Sequence, residues 1–178
     1  ARHLANVVFG AYSFGLEDRA IIEEKISPHQ LFFNLWPDGL CDVRVITLRG
    51  QPLMAMVRVP TRQSGGRANL HQGGLGIAVA LQDGRTTRAI HHGQSIHQHP
   101  ESGAALIDLQ VPYWNEIRNM SRRASDAVPL DYLGVDLVVD VQRGPLVLEL
   151  NVRPGLEIQN VNGFGLGQAM RQQGIHGQ

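Results

Sequence analysis

Two β-rich runs near the C-terminus, Val135–Val141 and Leu146–Asn151, are separated only by Gln142-Arg143-Gly144-Pro145. Runs of valine and leucine that close on so short a polar link specify an antiparallel hairpin. Side chains alternate along a strand, so Glu149 and Asn151 share one face and Leu148 and Leu150 take the other. A loop at Gln142-Arg143 sets Asp136 opposite Glu149, and a loop at Arg143-Gly144 sets it opposite Asn151. Either register leaves Asp136 on the face of that pair, with no cationic residue in the set. Carboxylates this close raise each other's pKa unless a cation lies between them. Oxygen-only donors suit a hard cation shared with nucleotide phosphates, Mg²⁺ above all. The same alternation also describes two solvated carboxylates on an exposed sheet face.

The rest of the chain extends this antiparallel pattern. A strand is expected over Ala20–Ile26, stopped by Ser27-Pro28, because proline has no N–H for a ladder. Asp42–Leu48 and Leu53–Val59 form a second hairpin about Arg49-Gly50-Gln51. An odd turn there puts Arg44 and Arg58 on one face, whereas a two-residue turn separates them. Thr61–Gly74 is a polar, glycine-rich loop, longer than a simple turn requires. A strand over Leu75–Leu81 follows, then a histidine-rich loop over residues 91–104. A helix is expected to start near Pro112, with Ile117, Met120, Ser121 and Ala124 as its inward stripe. Glycines crowd the tail from Gly163, which is expected to be flexible. Strand-dominated hairpins with one or two covering helices make an α+β domain on an antiparallel sheet.

Charge and composition narrow the function. The formal net charge is zero, so no basic field draws in nucleic acid or an anionic membrane. No apolar run is long enough for a membrane-spanning helix, and no signal-peptide pattern opens the chain. Cys41 is the sole cysteine, which excludes an internal disulfide and fits a reducing cytoplasm; beside strand residues it reads as a small buried hydrophobe. His91, His92, His97 and His99 match no standard zinc spacing. The chain opens on Ala1 and reads from the start as mid-domain sequence.

Several motifs in order carry a resemblance: Gly134-Val135-Asp136, then Gly144 to Asn151 as Gly-Pro-Leu-Val-Leu-Glu-Leu-Asn, then Arg153-Pro154-Gly155-Leu156. Together with Asp42-Val43-Arg44, Arg58–Thr61 and Arg67–Gly74, they resemble the catalytic C-terminal half of ATP-grasp ligases. The nearest likeness is to α-L-glutamate-ligase-like proteins, relatives of the ribosomal-protein glutamate ligases. The resemblance implies an ATP-grasp domain over residues 1–162 lacking the upstream phosphate-loop part, with residues 163–178 as the flexible tail. It implies that Asp136, Glu149 and Asn151 hold Mg²⁺ (two ions, with Mn²⁺ as a substitute) on ATP. Glu23, Glu24, Lys25 and Ile26 match the hinge that reads adenine. Arg44, Arg58, Arg67, Asn69 and Arg153 become the residues that grip phosphate, acyl phosphate or substrate carboxylate. The implied reaction joins a carboxylate (glutamate, or a peptide or protein terminus) to an amine through an acyl phosphate. The contrasting expectation is a non-catalytic nucleotide-binding or interaction module on a truncated or degenerate ATP-grasp fold.

Overall fold

The computed structural model describes residues 2–10, 14 and 23–175. Seven strands form one sheet: β1 (Asp42–Leu48), β2 (Gln51–Val59), β3 (Leu75–Val79), β4 (Thr86–His91), β5 (Gln94–Ile96), β6 (Tyr132–Asp140) and β7 (Gly144–Asn151). Their spatial order is β5-β4-β3-β2-β1-β6-β7, and each adjacent pair is antiparallel. The helices are α1 (Arg2–Val8), α2 (Gln30–Leu35), α3 (Trp114–Asp126), α4 (Glu157–Asn162) and α5 (Leu166–Gln172).

The two faces of the sheet are packed differently. On one, Val43, Val45, Val57, Ile77, Val135 and Leu137 are buried together with Phe32 and Leu35 of α2 and Trp114 and Ile117 of α3. The expected helix forms, with Ile117, Ser121 and Ser125 fully inward at helical spacing and Met120 and Ala124 partly buried. On the other face, Ile46, Met54, Met56 and Ala78 meet Ile158 and Val161 of α4 and Ala169 of α5. Gly76 makes this approach possible, since a Cβ there would lie 2.5 Å from Val161 Cγ2. Residues 163–175, expected as a flexible tail, therefore belong to a packed unit in which Ala169 is wholly buried.

Other expectations change in detail. Of the strand expected over Ala20–Ile26, residues 20–22 lie outside the described residues, and Glu23–Ile26 form no strand. Instead Ser27–His29 strap the end of β6: His29 N–H donates to Val139 O, Val141 N–H to Ser27 O, and Pro28 bridges Asp140. The proline is where pairing occurs rather than where it stops. Its missing N–H costs nothing, because the neighbours on either side make the bonds. The sequence from Thr86 to Ile96 holds two strands, β4 and β5, of which the second falls inside the presumed histidine-rich loop.

Both long hairpins combine a turn with a bulge. Arg49 and Gly50 both take positive φ (48° and 74°) in a two-residue turn between Leu48 and Gln51. Alone, that turn would separate Arg44 from Arg58. A register shift between Ile46 and Thr47 adds Leu53 as an extra residue, so Arg44 pairs with Met56 and Asp42 with Arg58. The second hairpin turns through Val141, Gln142 and Arg143, longer than either expected loop, with Asp140 opposite Gly144. Asp140 Oδ1 accepts from the backbone N–H groups of Gln142 and Arg143, and Gly144 supplies φ +73°. A shift between Asp136 and Leu137 then makes Leu148 the extra residue and places Asp136 opposite Glu149.

Candidate functional site

The β1–β2 bulge and the β1–β6 pairing bring four charged residues of three adjacent strands onto one face, and the β6–β7 bulge adds Glu149 beside them. Arg44 of β1 forks onto Asp136 of β6, with Nε donating to Oδ1 at 2.7 Å and Nη2 to Oδ2 at 2.6 Å. Arg58 of β2 forks onto Asp42 at 2.6 Å through both Nε and Nη2, and the same Nη2 reaches Asp136 Oδ2 at 2.8 Å. The chain of charges runs Asp42, Arg58, Asp136, Arg44. Buried carboxylates require such partners, and bidentate guanidinium pairing is among the strongest available.

Beside this cluster, Asn151 Nδ2 lies 2.9 Å from Asp136 Oδ2 and 2.9 Å from Glu149 Oε1. The sequence showed no cationic residue within the set Asp136, Glu149 and Asn151 itself. The structure supplies two guanidinia to Asp136 from the neighbouring strands and none to Glu149. Gly134 keeps this end of the face open to the turn after β7, since a Cβ there would sit 2.8 Å from Pro154 Cβ.

The two buried aspartates respond oppositely. Burial pushes both up. For Asp136 the hydrogen bonds and charges of Arg44 and Arg58 outweigh burial and hold its carboxyl below the usual range. Asp42 is also deeply buried, is hydrogen-bonded to one guanidinium, that of Arg58, and feels the Asp136 charge; burial wins, carrying it to about 6. Burial lowers and Asp42 and Asp136 raise the pKa of Arg58, with a net rise. Burial likewise pushes the Cys41 thiol up, and Sγ lies in the core with a weak hydrogen bond to Phe32 O at 3.7 Å, so it is a packed hydrophobe rather than a nucleophile.

A cleft of about 290 Å³ opens over the cluster, lined by Arg44, Arg58, Asn69 and Glu149 together with Met56, Leu70, His71, Gly155 and Glu157. Four of the residues singled out from sequence thus share one cavity. Asn69 caps the short 3₁₀ turn Leu70–Gln72 by accepting from His71 N–H at 3.0 Å, and so fixes the loop that forms this wall. Arg67 and Arg153 are exposed and lie outside that lining. Lys25 and Ile26 border a separate, more apolar cleft of about 490 Å³ with Pro28, Phe33, Pro37 and Leu40. Glu23 is exposed, and Glu24 pairs with Arg143 at 2.9 Å, which ties the proposed hinge to the turn end of β6–β7.

Asp42, Leu70, His71 and Glu157 were missed from sequence. Asp42 stands two residues before Arg44, hence on its face, and that spacing was the available signal. The histidines serve separate roles. His99 is buried, stacks on Trp36 at 4.9 Å, bonds Pro60 O through Nε2 and accepts from Glu101 and Ser102 N–H at Nδ1. His91 bonds Gly73 O and His92 bonds Gln63 Oε1.

Among the described residues, no group of three or more His, Cys, Asp or Glu is gathered to hold a metal. The site offers two carboxylates and an amide instead. The Asn151 amide nitrogen occupies the point between both carboxylates, and a half-turn of that amide presents its oxygen there. This donor set fits a hard cation that takes its remaining ligands from water and phosphate.

The family profile described as sugar-transfer associated ATP-grasp matches residues 1–174. A probable α-L-glutamate ligase of Klebsiella pneumoniae (strain 342) is 25% identical over 131 residues, covering 73% of this chain and 32% of its own. The ribosomal protein bS6–L-glutamate ligase of Escherichia coli O81 (strain ED1a) is 27% identical over 170 residues, 95% of this chain and 42% of its own. The chain thus spans between about a third and two fifths of these curated relatives. The structure of the ATP-grasp ligase PsnB with a minimal precursor aligns with a TM-score of 0.37 at 18% identity, over 76% of this chain and 34% of that one.

Proposed function

The chain belongs to the sugar-transfer associated ATP-grasp family, and on that footing we propose that it supplies the phosphate-facing half of an ATP-dependent carboxylate–amine ligase. The observation that carries this reading is the hydrogen-bonded cluster of Asp136, Glu149 and Asn151 with Arg44 and Arg58, of which Arg44, Arg58 and Glu149 line one cleft. Mg²⁺, bound by Asp136, Glu149 and Asn151, would neutralise charge on the ATP phosphates. The guanidinia of Arg44 and Arg58 bind oxyanions at the cleft floor, first γ-phosphate and then acyl phosphate. The apolar cleft of Lys25 and Ile26 receives the base. It borders the strap that pairs with Asp140, four residues from Asp136 and so about 13 Å along β6.

In the reaction, a carboxylate oxygen attacks the γ-phosphorus of ATP and ADP leaves with the bridging P–O electron pair, an amine attacks the acyl carbon, phosphate leaves with the C–O electron pair, and the amine loses a proton. The chain contributes positioning and charge compensation rather than a nucleophile. The relatives are named as ligases of glutamate and of ribosomal protein bS6, which favours glutamate or a peptide or protein terminus as substrate; the lone, buried Cys41 is in keeping with a reducing cytoplasm as the setting. Arg67 and Arg153, exposed near the loops around the cleft, are assigned to substrate capture. A second reading, a non-catalytic nucleotide-binding module, is favoured by one observation: the oxygens of Asp136 are already filled by guanidinia.

Calorimetry with Mg²⁺–ATP on the longest polypeptide carrying this chain tests the site. Asp136→Ala/Glu149→Ala is expected to weaken binding about tenfold or more; equal binding by both proteins rejects the metal assignment. Phosphate release across carboxylate and amine pairs separates ligase from module.

A further inference from the structure

We infer that Arg44 and Arg58 have divided roles: Arg44 is a displaceable internal cation that a divalent metal drives off Asp136, whereas Arg58 is held in place by Asp42. The inference rests on the proposed metal reading and adds an order of binding to it. Both arginines touch Asp136, but their alternatives differ. Every hydrogen bond of the Arg44 guanidinium among the described contacts goes to Asp136. Arg58 makes two bonds of 2.6 Å to Asp42 and a single one of 2.8 Å to Asp136. A cation that claims the Asp136 oxygens therefore leaves Arg44 with no hydrogen-bond partner among the described residues, while Arg58 keeps its fork.

Geometry says where Arg44 goes. Its side chain is 11% exposed and lines the cleft, so solvent and ligand reach it from the open side. An unpaired guanidinium at a cleft wall is a receptor for an oxyanion, phosphate or carboxylate. Without the metal, Asp136 fills that receptor. The anion site thus comes into being only after the cation binds, and Asp42 is the positioning residue that stops Arg58 from leaving with Arg44. Asp136 exchanges Arg44 for the external cation while keeping Arg58, and Glu149 offsets the second positive charge of a divalent ion.

Arginine Nε–H signals in ¹⁵N NMR read this directly, assigned by their loss in Arg44→Lys and Arg58→Lys. On Mg²⁺ titration the Arg44 signal is expected to lose its hydrogen-bonded shift and exchange with water at least about tenfold faster, while that of Arg58 persists. Mn²⁺ binding followed by electron paramagnetic resonance establishes occupancy independently. Bound Mn²⁺ with Arg44 unmoved overturns the exchange and leaves the metal reading standing. Release of both arginines overturns the anchoring by Asp42. No Mn²⁺ binding at all rejects the metal reading and this inference together. Inorganic phosphate should shift the Arg44 signal only in the presence of Mg²⁺; an equal shift without it overturns the order. Removing the internal competitor should also tighten Mn²⁺ binding about tenfold in Arg44→Gln, as expected when most molecules hold the site closed, and unchanged or weaker binding counts against the proposal.

Discussion

The hairpins β1–β2 and β6–β7 face the same problem and solve it from opposite directions. Each must present residues from both strands on the site face, and each has a turn whose length alone would misplace one of them. The inner hairpin uses the tightest turn, Arg49-Gly50, and adds Leu53 to its second strand. The outer hairpin uses the longer turn Val141–Arg143 and adds Leu148 to its second strand. Turn and bulge are chosen together, so that the face is conserved although neither part dictates it. What differs is burial. The inner hairpin lies between neighbours on both sides, whereas β7 is an edge, with Val147, Leu148 and Glu149 exposed.

That difference predicts how each part breaks. Asp136→Ala strands Arg44 in a part-buried setting and removes one of the three bonds of Arg58, and should cost about 3–5 kcal/mol in urea denaturation. Glu149→Ala, on the exposed edge, should cost under about 1 kcal/mol while weakening nucleotide binding as much. A similar stability loss for both would erase the contrast. Next is pH. Asp42 sits near 6 when folded, above its unfolded value, so its contribution is fully present below roughly pH 4 and is lost as pH rises through about 6. Asp136 is held low and works in the opposite sense, losing its contribution only as pH falls below the ordinary carboxylate range. Denaturation across this window should show stability falling by up to about 1.4 kcal/mol per pH unit, a slope that Asp42→Asn removes.

The turns give modest effects, of opposite sign. Gly144→Ala forces a Cβ onto φ +73° and should lower stability by about 1–2 kcal/mol. Arg49→Asn puts a residue tolerant of φ +48° into the two-residue turn and should raise it by about 0.5 kcal/mol. Thermal melts of the two variants measure both.

The pattern of legibility follows the same physics. The face shared by Asp136, Glu149 and Asn151 was readable because a period of two survives uncertainty about the loop. The right answer came from one of the two registers considered, although the turn that produces it was neither of those considered. Arg44 and Arg58 were placed on one face only conditionally, since a bulge at Leu53 leaves no mark that a propensity argument can detect. The ion pairs to Asp42 and Asp136 were invisible for a different reason. They join residues 16 and 92 positions apart: the β1–β2 bulge aligns Asp42 with Arg58, and only the pairing of β1 with β6 makes Arg44 and Asp136 neighbours. The short helices α4 and α5 escaped because six or seven residues hold less than two full apolar repeats. Glycines around them suggested looseness, where Gly76 in fact marks the close approach of α4 to the sheet.

The pairing of β1 with β6 has a further consequence for how the protein comes into being. Strands β1 to β5 form a meander of successive neighbours, and β6–β7 is a self-contained hairpin. Only the docking of β6 against β1 spans the long intervening chain, and closing that distance is the slow, entropically costly event in such a topology. The charge cluster lies across this seam. Until it closes, Arg44 and Asp136 belong to different folding units and two apolar strand edges stand open to other chains. Assembly of the site and protection against aggregation are therefore the same kinetic step.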